Sequence, residues 1–249
     1  MERRCLNLNK VRFLGDKKVY LFFNHDEALL CWYNEKKHSG IDNYFLITID
    51  NHLDLTELDD ETKEALKIFL DSDNNDIFTL REIIETKFRS TNSNFIFGAM
   101  ELGIVNDALI LSPDDSNLRR EHYEDMRGIE HHIYYSSSII SLWYPKGSGI
   151  LNNGYPKENR AIQERIKTSN LIVDIDLDYF TYYKDDKMHV LSLDNFDHIF
   201  RKTHYVSIYD LLERAKVITM ALEPQFCGGI KNCSKILQLL ANKYLNEFS

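Results

Sequence analysis

The segment Leu171-Ile172-Val173-Asp174-Ile175-Asp176-Leu177-Asp178-Tyr179-Phe180 sets three aspartates at alternate positions of an otherwise aliphatic and aromatic run. Successive side chains of a strand point to opposite faces, so Asp174, Asp176 and Asp178 are expected to project together. Aspartate is depleted in strands, and a row of three on a central strand repels itself and loses hydration unless a cation neutralises it. An edge strand with a wet face would tolerate the row, but the aliphatic residues between the acids argue for burial. Two more stretches follow the same plan: Phe22-Phe23-Asn24-His25-Asp26 and Ile49-Asp50-Asn51-His52-Leu53-Asp54. In the latter, strand alternation puts Asp50, His52 and Asp54 on one side. Carboxylates and imidazoles gathered in apolar sequence predict a pair of divalent metals.

The rest of the chain says what carries these motifs. Short β-branched and aromatic runs at Val19–Phe23, Tyr44–Ile49, Asn94–Phe97, Ala108–Leu111, Leu171–Ile175 and Val217–Leu222 read as strands. Helical patterns fill Asp26–Glu35, Asp60–Leu70, Leu80–Arg89, Glu158–Lys167, Leu193–Phe200, Ser207–Arg214 and Cys233–Phe248, with start signals at Asp60, Ser207 and Ser234. Strands alternating with helices, the strands nearly continuous in apolar residues, indicate a three-layer α/β/α fold with a mostly parallel central sheet. Sites in such sheets lie at the carboxyl ends of strands, where all three motifs fall. With 249 residues, 43% of them hydrophobic, the chain is read as one domain spanning 1–249. The stretch 112–156 is rich in proline, glycine, serine and histidine. It reads as an irregular insertion holding strands at Ile133–Tyr135 and Ile139–Trp143 and suited to act as a lid or a substrate-binding wall.

Composition narrows the function. A formal charge of −9 argues against nucleic acid, which needs a basic surface, and suits a cationic partner. No apolar run is long enough to span a membrane, and Met1-Glu2-Arg3-Arg4 is not followed by an apolar leader, so a soluble cytoplasmic protein is expected. Cys5, Cys31, Cys227 and Cys233 are too scattered for a disulfide framework and lack CxxC spacing, and are read as reduced, packed thiols. His25 and the Glu223-Pro224 pair closing Val217–Leu222 are ordinary in isolation. Their place at the same sheet edge as the acidic motifs brings them into the site.

The order of these motifs resembles the ureohydrolase fold of arginases, agmatinases and, more distantly, histone deacetylases. In detail, Asn24-His25-Asp26-Glu27-Ala28-Leu29 with Trp32, Asp50-Asn51-His52-Leu53-Asp54, Asp174-Ile175-Asp176-Leu177-Asp178-Tyr179-Phe180 and Thr219-Met220-Ala221-Leu222-Glu223-Pro224 are similar to uncharacterised-protein family 0489. Some of its members are peptide arginases, which convert arginine to ornithine in ribosomally made precursor peptides. The resemblance runs from about Val19 to Gly229. It implies two Mn²⁺ ions bridged by Asp50 and an aspartate of the later strand, with His25 and Asp54 completing one ion and His52 and a second aspartate the other. Which of Asp174, Asp176 and Asp178 bind is left open by the spacing, with Asp176 and Asp178 favoured as nearer the strand's carboxyl end and Asp174 accepting from behind. Asp54 and Glu223 are the implied catalytic carboxylates, Glu223 holding the guanidinium.

The chain also departs from arginases of free arginine. It has no Gly-Gly-Asp-His-Ser, no His-Gly soon after the DxHxD motif, and no recognisable grip on the substrate's α-amino and α-carboxyl groups. A peptide, which lacks those charges, therefore fits better. His122, His131, His132 and Glu101 are candidate proton shuttles that the sequence does not rank. Two alternatives stand beside the peptide arginase: a deacetylase-type metal-dependent amide hydrolase, which would give Glu223 no cation to hold, and a non-catalytic metal-stabilised binding protein.

Overall fold

Tyr44–Ile49 and Leu171–Asp176 are buried along their whole length, which requires strand neighbours on both sides and cover on both faces. A computed structural model supplies both. It describes residues 9–14, 17–73, 75–88, 93–113, 119–136, 156–200 and 207–245. Strands β1 (Asn9–Leu14), β2 (Lys17–Phe22), β3 (Tyr44–Ile49), β4 (Val105–Leu111), β5 (Arg119–Glu124), β6 (Glu130–Ser136), β7 (Leu171–Asp176) and β10 (Val217–Ala221) form one sheet in the order β1-β2-β10-β7-β3-β4-β6-β5. The pairings from β2 to β6 are parallel, and β1 and β5 close the two edges antiparallel. A separate hairpin, β8 (Thr181–Lys184) with β9 (Lys187–Val190), follows the aspartate strand.

Alternation along the central strands divides the core into two layers. Tyr44 and Leu46 of β3 and Ile172 of β7 join Leu29, Leu66, Leu80 and Phe95, carried by α1 (Ala28–Ser39), α2 (Asp60–Asp71), α3 (Ile77–Ile83) and α4 (Phe95–Glu101). On the other face Phe45, Ile47, Ile49, Val173 and Ile175 join Ile162, Phe196, Leu211 and Ile236. These belong to α5 (Pro156–Thr168), α6 (Leu193–Phe200), α7 (Ile208–Arg214) and α8 (Ile230–Leu239). The protein is thus α/β, its mostly parallel sheet flanked by helices. Local signals set several boundaries. Asp59 caps α2 by accepting from the Thr62 N–H, Ser207 and Asp210 form a capping box at α7, and Gly40 at φ 65° ends α1 in the left-handed conformation.

The structure departs from the sequence reading in five places. Asn94–Phe97, expected as a strand, is the cap and first turn of α4. Its run Phe95-Ile96-Phe97 is buried throughout, and a short all-apolar run has no periodicity to separate a core helix from a strand. Ser234 lies inside α8, which starts at Ile230 after Gly229. The helical pattern at Leu80–Arg89 changes from α3 to a π-helical turn at Ile84–Phe88, and Arg89 lies outside the described residues. The stretch 112–156 includes β5 and β6, an antiparallel hairpin that widens the sheet. The expected run Ile133–Tyr135 sits in β6, whereas Ile139–Trp143 lies outside the described residues. β1, β8 and β9 gave no signal. Cys31, Cys227 and Cys233 are free and buried, Cys5 lies outside the described residues, and among the described residues no helix is long and apolar enough to cross a membrane.

Candidate metal centre

Because β2, β10, β7 and β3 run parallel, the residues that follow them collect at one sheet edge. His25 opens a 3₁₀ turn (His25–Glu27) after β2, Asp50 follows β3 directly, Asp176 ends β7, and Glu223 lies two residues past β10. The strand rows expected for the acidic motifs are broken by their own side chains. Asp50 Oδ1 accepts from the His52 N–H at 2.7 Å, a turn that takes Asn51–Asp54 out of strand geometry. Asp176 caps the 3₁₀ turn Leu177–Phe180 by accepting from the Asp178 N–H at 3.0 Å, so Asp178 leaves the strand as well. Asp178 Oδ1 accepts from the Asn51 N–H at 3.3 Å and ties the two turns together. Asp54 adopts φ 47° and Glu223 φ 35°, left-handed values costly for residues other than glycine and frequent where a site dictates the backbone.

Two donor sets result, and Asp50 belongs to both. His25, Asp50 and Asp176 bring ligand atoms within 4.8 Å of one another, as do Asp50, His52 and Asp178. His25 Nδ1 lies 3.4 Å from Asp50 Oδ2, 3.0 Å from Asp54 Oδ2 and 3.4 Å from Asp176 Oδ2, yet completes no hydrogen bond. Asp50 Oδ2 is equally unsatisfied, and so is Asp178 Oδ2, which lies 3.0 Å from His52 Nδ1. Each such buried atom costs about 1–3 kcal/mol when left unmatched. A ring nitrogen and carboxylate oxygens converging with no hydrogen-bond partner are the donor set of a hard to borderline cation, so each of the two groups could hold a metal ion.

The charge state points the same way. Burial, then the Asp54 charge, pushes the Asp50 carboxyl well above the usual carboxylate range. Burial lifts Asp176 to about 6 and, with Asp176 as neighbour, Glu223 to about 7. The Asp178 carboxylate, 3.0 Å from its Nδ1, raises His52 to about 9. For His25 burial pulls downward, but the charge and hydrogen bond of Asp174 outweigh it and the imidazole ends well above its ordinary value. Without a cation the cluster keeps protons as its counter-charge, which a metal bound there would displace.

Asp174 differs from its two neighbours. Its Oδ2 faces His25 Nε2 at 2.6 Å and accepts from Thr48 Oγ1 at 3.3 Å, while Oδ1 accepts from Thr219 Oγ1 at 2.5 Å. Thr219 in turn accepts from Trp32 Nε1 at 3.2 Å. Thr48, Asp174 and Thr219 are register partners across β3, β7 and β10, a polar row in an aliphatic sheet. The sequence reading passed over both threonines and the role of Trp32, although a lone threonine in each of two buried strands was a visible signal. Asp174 therefore orients His25, and Asp174→Asn is expected to weaken metal affinity by about 10–100-fold while leaving every proposed donor in place. Isothermal titration with Mn²⁺ checks this, and unchanged affinity would remove Asp174 from the positioning role.

Glu223 is buried at the same edge. Its Oε1 accepts from the His25 N–H at 3.0 Å, its own N–H donates to Phe23 O at 3.0 Å, and its carbonyl accepts from the N–H groups of Phe226 and Cys227. Phe23 and Phe226 are exposed beside it, and the Phe226 ring meets His52 edge-on at 5.5 Å. Among the proton-shuttle candidates, Glu101 ends α4 and accepts from Tyr123 and the Met126 N–H, His131 contacts Asn106 O and Asp125, and His122 pairs with His132 across β5 and β6. Glu101 precedes β4 and the histidines sit at the start of β6 or opposite it. All four therefore occupy the amino-end edge of the parallel strands, away from the acidic cluster. Comparison of the sequence with protein-family models and with curated proteins finds no match.

Proposed function

We propose that the chain is a binuclear metal hydrolase, on an arginase-like version of this sheet, that cleaves the guanidinium of arginine side chains in a precursor peptide to give ornithine and urea. The observation that carries the reading is the pair of donor sets sharing Asp50, with His25 Nδ1, Asp50 Oδ2 and Asp178 Oδ2 buried and unmatched. His25, Asp54 and Asp176 would hold one ion, His52 and Asp178 the other, and Asp50 both. Carboxylates with imidazoles and no thiolate suit Mn²⁺. Bound there, the pair supplies an activated water at neutral pH and stabilises charge developing in the transition state.

The chain's own residues account for the rest. Glu223, its Oε1 fixed by the His25 N–H, is buried and accepts from the guanidinium N–H groups, a charge-assisted bond that burial strengthens. Asp54, with 14% side-chain exposure and 3.0 Å from His25 Nδ1, is reachable from solvent and takes the proton released as the water oxygen bonds to the guanidinium carbon. Asp54 then gives that proton to the arginine Nε, the bond from the carbon to Nε breaks, and the hydroxyl proton on the carbon passes to the departing amine. Urea leaves, and the protonated side-chain amine remains as ornithine. The exposed rings of Phe23 and Phe226 beside Glu223 support a peptide over a free amino acid, since they offer apolar surface to the flanking residues.

Metal analysis and mass spectrometry on an arginine-containing peptide test this together. A protein holding two manganese ions should lower the peptide mass by about 42 Da per converted arginine, the loss of a CN₂H₂ unit expected from attack by metal-activated water. A manganese-loaded protein that leaves arginine intact but deacetylates an acetyl-lysine peptide would replace the reading with an amide hydrolase. One that does neither would be a metal-stabilised binding protein.

A further inference from the structure

A second group of metal-ligating side chains lies far from Asp50, on the outermost hairpin. His122 of β5 and His132 of β6 are register partners, so their side chains stand opposite one another on the same face, and Glu130 is two residues from His132 on that face. The imidazoles meet at 4.9 Å between centroids with an interplanar angle of 87°. One ligand atom from each of His122, Glu130 and His132 falls within 4.8 Å of the others. His122 Nδ1 contacts Glu130 Oε1 at 2.5 Å, and His132 Nδ1 lies 3.8 Å from the same oxygen. His122 and Glu130 are half exposed or more, so a cation reaches them from solvent.

We infer that His122, Glu130 and His132 form a separate site for a borderline divalent cation of the zinc class. Two imidazoles and one carboxylate are a zinc donor set that leaves a position for water, and such nitrogen-rich sites prefer zinc to manganese. Arg120, whose Nη2 lies 3.1 Å from His132 Nδ1 and 2.9 Å from its Nε2 and whose guanidinium lies over the Tyr134 ring, covers the His132 ring nitrogens. Metal binding displaces it. The ion then cross-links β5, one of the sheet's two edge strands, to β6 and holds that edge in register. None of these residues touches the Asp50 cluster, so the site does not depend on the hydrolase reading.

The test is a zinc titration against a chelating dye, run on the full chain and on His122→Ala, Glu130→Gln and Asp50→Asn, with hydrogen exchange read on residues 119–136. Both surface variants should take up one equivalent of zinc fewer than the full chain and lose a zinc-dependent slowing of exchange in β5. Asp50→Asn should retain that slowing. Equal zinc uptake in the full chain and the two surface variants, or zinc-dependent protection that survives His122→Ala, would overturn the assignment. The substituted side chains are exposed and contribute little to the core, so an unchanged melting temperature without zinc serves as the folding control.

Discussion

Asp50→Asn should leave a folded chain that no longer binds a pair of manganese ions and no longer hydrolyses an arginine peptide. Asp50 is the residue shared by the two donor sets, and its Oδ2 is one of the buried atoms with no hydrogen-bond partner. Asparagine keeps the size of the side chain and the acceptor that turns the backbone at His52, so the local fold survives while the bridging charge is lost. If the metals supply roughly 4 kcal/mol of transition-state stabilisation, kcat/KM falls by about three decades or more. The melting temperature should also stop rising with added Mn²⁺, since only binding to the native state stabilises it. In the absence of metal the variant should melt no lower than the parent, because it lacks a carboxylate whose charged form burial and Asp54 disfavour. A variant with two manganese ions and full activity would disprove the assignment of Asp50.

Glu223→Gln should separate two properties that Asp50→Asn removes together. Gln retains the acceptor for the His25 N–H and the shape of the side chain, but leaves the guanidinium without its counter-charge. Breaking one half of a buried charge pair costs about 3–5 kcal/mol, a fall of roughly two to three decades in kcat/KM. Manganese stoichiometry should be unchanged, because Glu223 stands outside both donor sets. Loss of metal would make Glu223 a ligand. Retained activity would leave the arginine reading without its substrate-specific residue and move the amide-hydrolase alternative ahead.

The sheet and the gathering of acidic motifs at its carboxyl edge were legible because short, nearly continuous apolar runs and acids set among them are local signals. What was not legible came from side-chain bonds, some two residues apart and some distant in sequence, and from elements without a periodic face. The 3₁₀ turn that lifts Asp178 off its strand and the bend that lifts His52 off its own depend on Asp176 and Asp50 accepting backbone N–H groups, a choice that alternation alone does not reveal. Asp174 is separated from Asp176 and Asp178 by its partners, since Thr48 and Thr219 fill its oxygens only once β3 and β10 flank β7. Asn94–Phe97 was misread because every residue in it is buried, leaving no face to count. Of the β5–β6 hairpin, the Ile133–Tyr135 run of β6 was read as a strand, but β5 was hidden in a stretch whose prolines and glycines suggested irregular chain.

The central claim is that one carboxylate, Asp50, joins two metal ions. Anomalous diffraction at the manganese edge, from crystals grown with Mn²⁺, addresses it directly. The expected map has two peaks roughly 3.5–4 Å apart, the separation usual for two-metal sites, both against Asp50. One should lie among His25, Asp54 and Asp176 and the other between His52 and Asp178. A single peak, or peaks that leave Asp50 without a metal, would contradict the account.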